Sequence, residues 1–152
     1  MYQLSINALT EAAFLTQYWQ KKPLLIKQGF RDFIDPLSPE ELAGLAMEEN
    51  IESRIVTNHD QHWDAHHGPF DDFTLLTEQH STLLVQAVDH WHPQAATLLE
   101  PFRFIPNWRI DDLMISFSTP GAVLVRTSTS TMSLLFRVRA NDAGVSVCPM
   151  QA

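Results

Sequence analysis

The sequence predicts an α+β fold on three observations. Two segments begin with helix-capping residues and continue with apolar side chains at three- and four-residue steps, a short apolar run lies between Pro23 and Gly29, and the segment after Pro106 alternates apolar with polar residues. No internal repeat is evident.

Thr10 can cap a helix over about residues 11–21, with Glu11 suited to the positive first turn and Ala12, Leu15, Tyr18 and Trp19 on one stripe, until Pro23 stops it. Leu24, Leu25 and Ile26 then read as a buried strand. Ser38-Pro-Glu-Glu combines a cap, a proline at the first helical position and Glu41 as capping-box partner, which predicts a helix through Leu42, Leu45 and Ala46. Ser53 to Thr57 reads as a strand, and the polar stretch from Asn58 to Gly68 as a turn or hairpin. Leu84, Val85, Val88 and Trp91 recur at helical spacing, which predicts a helix from about Thr82 to Trp91, followed by a second between Pro93 and Pro101. Residues 108–118 predict a strand with Ile110, Leu113, Ile115 and Phe117 opposed to Asp112, Met114, Ser116 and Ser118, closed by the turn Thr119-Pro120-Gly121.

A chain of 152 residues with 45% hydrophobic and 18% charged residues suits one ordinary globular domain. It has no apolar run of membrane-spanning length and no basic leader followed by an apolar core, so the expected compartment is the cytoplasm. Eighteen acidic against ten basic residues leave a net charge of −8, which repels nucleic-acid phosphate and favours basic partners. Cys148 is the sole cysteine, which rules out an internal disulfide and a cysteine-based zinc site.

His59, His62, His66 and His67 form the densest histidine group, but the turn-forming residues around them favour a solvated loop over a metal centre. His90 and His92, two residues apart in a helical pattern, point in different directions and read as surface or capping residues. Asp111 and Asp112 are adjacent on the expected strand and so face opposite sides, which removes them as an acid–base pair and leaves one to meet Arg109 or a helix end. Trp19, Trp91, Phe102 and Trp108 are expected in the core, and Ser128 and Ser130 lack the glycine context of a hydrolase nucleophile.

From Ala122 the texture changes. Asp142 is the only acidic residue and Phe136 the only aromatic one, and Arg126 to Ser133 is a low-complexity run of threonine and serine. Residues 122–152 are therefore expected to be a poorly ordered tail.

Five ordered blocks of residues 1–121 carry a family resemblance: Tyr18-Trp-Gln-Lys-Lys-Pro-Leu-Leu-Ile-Lys, Ser38-Pro-Glu-Glu-Leu-Ala-Gly-Leu-Ala, Gly68-Pro-Phe, Leu84-Val-Gln-Ala-Val-Asp-His-Trp-His and the run from Trp108 to Gly121. They resemble the amino-terminal part of the bacterial ribosomal oxygenases, in the JmjC/cupin group of iron(II)- and 2-oxoglutarate-dependent dioxygenases. The resemblance implies an amino-terminal helix and strand region leading into a double-stranded β-helix, or jelly roll. It also implies iron on a His-Xaa-Asp…His triad, 2-oxoglutarate beside it, and an arginine of a basic large-subunit ribosomal protein as the hydroxylation target. Two histidines and one carboxylate on one face of the metal leave positions open for 2-oxoglutarate and oxygen. The face carrying Asp112, Met114 and Ser116 would line the cavity of the complete enzyme, which makes these three the candidate substrate-pocket residues.

In that family the segment after the Pro-Gly turn reads approximately Gly-Gly-Val-Gly-Pro-His-Xaa-Asp-Gln-Tyr-Asp-Val-Phe and supplies the first two iron ligands. Here it reads Ala122 to Phe136 with no such motif, and no histidine follows His92. Synonymous codons for Val125 to Phe136, read one base back, give Gly-Pro-His-Ile-Asp-Gln-Tyr-Asp-Val-Phe-Ile-Ile, so a base lost near Gly121 accounts for the change. The expectation is a division at residue 121: 1–121 as the start of the oxygenase domain with its jelly roll incomplete, 122–152 as an out-of-frame tail. The chain as given is then expected to bind neither iron nor 2-oxoglutarate and to be catalytically inert. The alternatives are an acidic module that holds a basic ribosomal protein, and a non-functional gene remnant.

Overall fold

The computed structural model describes residues 2–6, 9–22, 24–59, 62–76 and 79–122, together with the backbone of two later strands. In chain order the elements are β1 (Gln3–Leu4), α1 (Glu11–Gln17), β2 (Leu24–Lys27), β3 (Phe30–Arg31), α2 (Pro39–Ala46), β4 (Ser53–His59), β5 (His62–His67), β6 (Ser81–Val85), α3 (Val88–Trp91) and α4 (Pro93–Ala96). Short 3₁₀ turns at Thr97–Phe102 and Asn107–Arg109 lead to β7 (Ile115–Ser118), β8 (Ser133–Arg139) and β9 (Asp142–Cys148). Among the described residues no helix is long and apolar enough to cross a membrane.

The chain divides into two compact units that interleave in sequence. One comprises residues 1–35, 100–104 and 126–152, the other residues 36–99 and 105–125. In the first, Thr10 caps α1 by accepting the Ala13 N–H at 3.1 Å, and buried Phe14 meets Trp19 and Phe104 edge to face. Phe30 and Phe102 complete this aromatic core. Strand β2 pairs antiparallel with β9, from Leu24 opposite Val147 to Lys27 opposite Gly144, and β9 pairs in turn with β8. Within the tail expected to be poorly ordered, Ser133–Arg139 and Asp142–Cys148 are thus strands, because backbone pairing to β2 makes little demand on side-chain identity. The remaining residues after Ala122 lie outside the described set.

The second unit is built on a four-stranded antiparallel sheet in the order β5-β4-β6-β7. Leu83 of β6 stands between Ile55 of β4 and Phe117 of β7, and Val85 between Ser53 and Ile115. This face packs under α2, whose capping box at Ser38 and Glu41 forms as expected. Ser53 Oγ donates to the Ala46 carbonyl at 3.2 Å, and Phe70 N–H reaches the same oxygen at 3.1 Å. Thr82, Leu84, Val56, Ser116 and Ser118 share the opposite face.

Three expectations are corrected here. Residues 82–91 are not one helix: Ser81–Val85 is a strand buried along its whole length, and only Val88–Trp91 is helical. A central strand is apolar on both faces, so its residues mimic a helical stripe by chance. The strand expected over 108–118 is confined to Ile115–Ser118, preceded by a 3₁₀ turn and extended chain. Trp91 and Trp108 are not core residues; they are 48% and 78% exposed, and the Arg109 guanidinium stacks over the Trp108 ring at 4.6 Å. By contrast the 58–68 hairpin forms, with the histidines on β4 and β5 rather than in a loop.

Candidate functional site

Two features of the second unit converge on β7, an acidic hinge before it and a hydroxyl-locked corner after it. At the hinge, Leu113 is buried and anchored to α3 through its backbone. Its N–H donates to Asp89 Oδ1 at 2.8 Å, and its carbonyl accepts the Val88 N–H at 2.8 Å. Burying Leu113 holds Asp112 half-buried and leaves Met114 41% exposed beside it. Asp112 accepts the backbone N–H of Ala87, the capping residue just before α3, which fulfils the expectation that one of the two aspartates meets a helix end. His92 caps α4 by accepting the Ala95 N–H, and His90 is exposed with its ring 3.7 Å from Asp89, as the surface and capping reading of both requires.

Burial raises the Asp112 carboxyl above the usual carboxylate range, the Asp111 and Asp89 charges raise it further, and the Ala87 N–H and His90 oppose them. A carboxyl whose folded pKa lies above its unfolded value takes up its proton more readily when folded. Its ionised form therefore weakens the fold at neutral pH, and that penalty disappears as pH falls through the raised value towards about 3.9. Asp112→Asn keeps an oxygen for the Ala87 N–H, so it is expected to stabilise the chain at pH 7. With solvent screening of this partly exposed group the gain is about 0.5 kcal/mol or less. Urea unfolding at pH 7 and at about pH 3.5, where the gain should vanish, checks the sign.

The corner after β7 is held from β6. Ser81 N–H donates to Thr119 Oγ1 at 3.0 Å while Thr119 N–H donates to the Ser81 carbonyl at 2.9 Å. One step down the sheet, the Thr82 and Ser118 hydroxyls lie 3.1 Å apart. His80 N–H reaches the Pro120 carbonyl, and His80 Nδ1 lies 2.9 Å from the Gly121 carbonyl oxygen. Gly121 has φ +77°, and a Cβ there would come within 2.5 Å of the His80 ring, so the turn requires glycine. This lock fixes the direction in which the chain leaves at Ala122, the residue where the composition changes.

Of the three candidate pocket residues, Asp112 and Met114 lie on the extended chain before β7, and Ser116 lies on β7 opposite Leu84, exposed. Among the described residues β7 pairs only with β6, and Phe117 is 36% exposed on it, so an open sheet edge lies next to the candidate pocket. Sequence reasoning named Thr119, Pro120 and Gly121 as the closing turn but missed His80 and Ser81, the residues about forty positions earlier that secure it.

No family model matches the chain. The ribosomal protein uL16 3-hydroxylase of Escherichia coli is 55% identical over 120 residues, which are 79% of this chain and 31% of that protein. A probable ribosomal oxygenase of Haemophilus influenzae is 37% identical over 116 residues, 74% of this chain and 28% of the relative. The solved structure of YcfD, a ribosomal oxygenase from Escherichia coli, in complex with cobalt and 2-oxoglutarate superimposes with a TM-score of 0.83. That match is 40% identical and covers 99% of this chain and 47% of that one. The same protein with cobalt and succinic acid gives a TM-score of 0.75 at 54% identity, over 80% of this chain and 33% of that one. The chain spans about a third of the length of the curated relatives it matches.

Proposed function

We propose that this chain, which is homologous to the bacterial ribosomal oxygenases, is the amino-terminal scaffold of an iron(II)- and 2-oxoglutarate-dependent hydroxylase acting on an arginine of a large-subunit ribosomal protein. In this reading the β5-β4-β6-β7 sheet begins a double-stranded β-helix, and residues 1–121 are the start of the oxygenase domain. The observation that carries it is the 55% identity over 120 residues with a ribosomal protein hydroxylase. Ribosomal proteins are made in the cytoplasm, which is the compartment this reading assigns.

The residues present do not fit the metal. A facial triad needs two histidines and a carboxylate. Beyond the locked corner the sequence offers no histidine and a single acidic residue, Asp142, and among the described residues no three histidine, cysteine or acidic side chains could hold an ion. No step of an oxygenase cycle is therefore assigned to this chain, and it is read as inert by itself. Residues 122–152 are read as out of frame because the given frame holds no Pro-His-Xaa-Asp motif after Gly121 whereas synonymous codons read one base back do. The shifted frame can also stay open to Ala152, and the only sense codon it allows at Asp142 is arginine, which replaces the acidic residue with a basic one.

In the pocket reading, the Asp112 carboxylate would attract a guanidinium while Met114 flanks its apolar stem and Ser116 offers a hydroxyl. The like charges of Asp111 and Asp89 around Asp112 favour a cationic occupant. The same observation, with the net charge of −8, supports the second reading of a non-catalytic acidic module for a basic protein.

The chain with iron(II), 2-oxoglutarate and an arginine-containing peptide of a large-subunit ribosomal protein is expected to release succinate only at the no-protein background. Turnover above that background overturns the inert assignment. DNA sequencing across Gly121 is expected to show codons compatible with Pro-His-Xaa-Asp one base back. Binding of the peptide is expected to weaken with salt, and about tenfold further in Asp112→Asn. Unchanged binding removes the pocket assignment.

A further inference from the structure

We infer that the second unit binds one divalent transition-metal ion of the zinc(II) and copper(II) class where β4 ends, through the imidazoles of His59 and His80, with water completing the shell.

The two histidines are distant in the chain but joined by the sheet. His59 closes β4 and His80 stands immediately before β6. Asn58 N–H donates to the His80 carbonyl at 2.9 Å, one step beyond the Thr57–Ser81 pair of the ladder, so the two backbones are held side by side. Their rings meet with centroids 6.3 Å apart and planes inclined at 63°. Two imidazoles bound to one ion by bonds of about 2.0–2.1 Å have ring centres roughly 5 Å apart at a tetrahedral angle and roughly 6.4 Å apart when opposed. The observed spacing lies inside that range. His59 is exposed, so its side chain can turn towards the ion without displacing a packed neighbour.

The His80 ring is already set for ligation. Its Nδ1 lies 2.9 Å from the Gly121 carbonyl oxygen, which can only accept, so Nδ1 carries the proton and the neutral ring leaves the Nε2 lone pair bare. Histidines that bind metal are commonly held in this way, one nitrogen donating to a carbonyl while the other ligates. His80 takes φ +60° and lays its ring against Gly121, where a Cβ would collide with it, so the ring has little freedom to rotate. Neither Nε2 of His80 nor either nitrogen of His59 has a hydrogen-bond partner among the described residues.

Imidazole nitrogens suit zinc and copper(II), whereas magnesium and calcium take oxygen ligands. A pair of protein ligands agrees with the absence, among the described residues, of any group of three that could hold an ion. His62 lies opposite His59 in the register, but among the described residues no ring contact joins them and no carbonyl orients the His62 ring. It is therefore expected to stay outside the shell. The bound ion ties the end of β4 to the corner at Gly121.

The test is isothermal titration of zinc(II) into the untagged full chain, with copper(II) electron paramagnetic resonance as a second reading. One ion per chain is expected, with a dissociation constant on the order of 10 μM. His59→Gln, at an exposed position, should weaken binding at least about tenfold, and His80→Gln likewise. His62→Gln and His90→Gln should change it by less than about threefold. The copper(II) spectrum should show two nitrogen ligands in the parent and one in His59→Gln, a reading that a loss of stability does not mimic. A chain that binds no zinc, a His59→Gln chain that keeps the parent affinity, or a parent spectrum with fewer than two nitrogens overturns the inference. So does a loss in His62→Gln equal to that in His59→Gln, which would place the ion on the hairpin alone. If His80→Gln fails to fold by circular dichroism, His59→Gln and the spectrum decide.

Discussion

Leu83→Ala is expected to lower the unfolding free energy by about 3–4 kcal/mol. Leu83 is 1% exposed at the centre of β6, flanked by fully buried Ile55 and by Phe117. The residues on either side are held by backbone ladders on both edges, so the sheet cannot close around the lost methyl groups and a cavity remains. Because a domain's total stability is about 5–15 kcal/mol, the loss should appear as a large drop in urea midpoint with an unchanged slope. Met114→Ala, at an exposed position outside the sheet, is the control and should cost less than about 0.5 kcal/mol. A Leu83→Ala loss below about 1 kcal/mol would show that the sheet's buried face is not the core described above.

Gly68→Ala should be nearly as costly, about 2–4 kcal/mol, for a different reason. A Cβ there would lie 2.2 Å from Ser53 Oγ and 3.3 Å from the Ala46 carbonyl oxygen. Ser53 is 4% exposed and its hydroxyl is bonded to Ala46, so it can move only by breaking that bond in a buried place. Ser53→Ala removes the colliding atom, and the Ala46 oxygen keeps the Phe70 N–H. The double variant should therefore be more stable than Gly68→Ala alone by about 1 kcal/mol or more, and a double-mutant cycle measures that coupling. Additive losses would place the cost of Gly68→Ala in the backbone rather than at Ser53.

The parts of the fold legible in the sequence were those fixed by neighbours in the chain. Thr10 and Ser38 cap their helices as expected because a cap depends on three or four consecutive residues. The hairpin at 58–68 and the turn at Thr119 to Gly121 were legible for the same reason. Strand β6 was not, since an apolar run buried on both faces carries no period to distinguish it from a helix, and only its pairing with β4 and β7 decides its form. The exposed Trp91 and Trp108 were misplaced because side-chain size indicates what a residue could bury, not whether anything lies opposite it. At the candidate site, Asp112, Met114 and Ser116 were chosen as one strand face, yet the chain enters β7 only at Ile115. The anchor that shapes the approach is the Asp89 bond to Leu113, a contact across 24 positions. Long-range partners of this kind, like His80 with Gly121, leave no trace in local spacing.

The pairing of β2 with β9 bears on how the molecule is made. Leu24 to Lys27 must wait for residues 144–147, roughly 120 positions later, before its ladder can close, whereas β4, β5 and β6 find one another within about 35 positions. During synthesis the sheet of the second unit can assemble while β2 is still without its neighbour. A chain that ends after β7 but before residue 144 would thus carry a formed sheet and an unsatisfied β2, the species a chaperone would meet first.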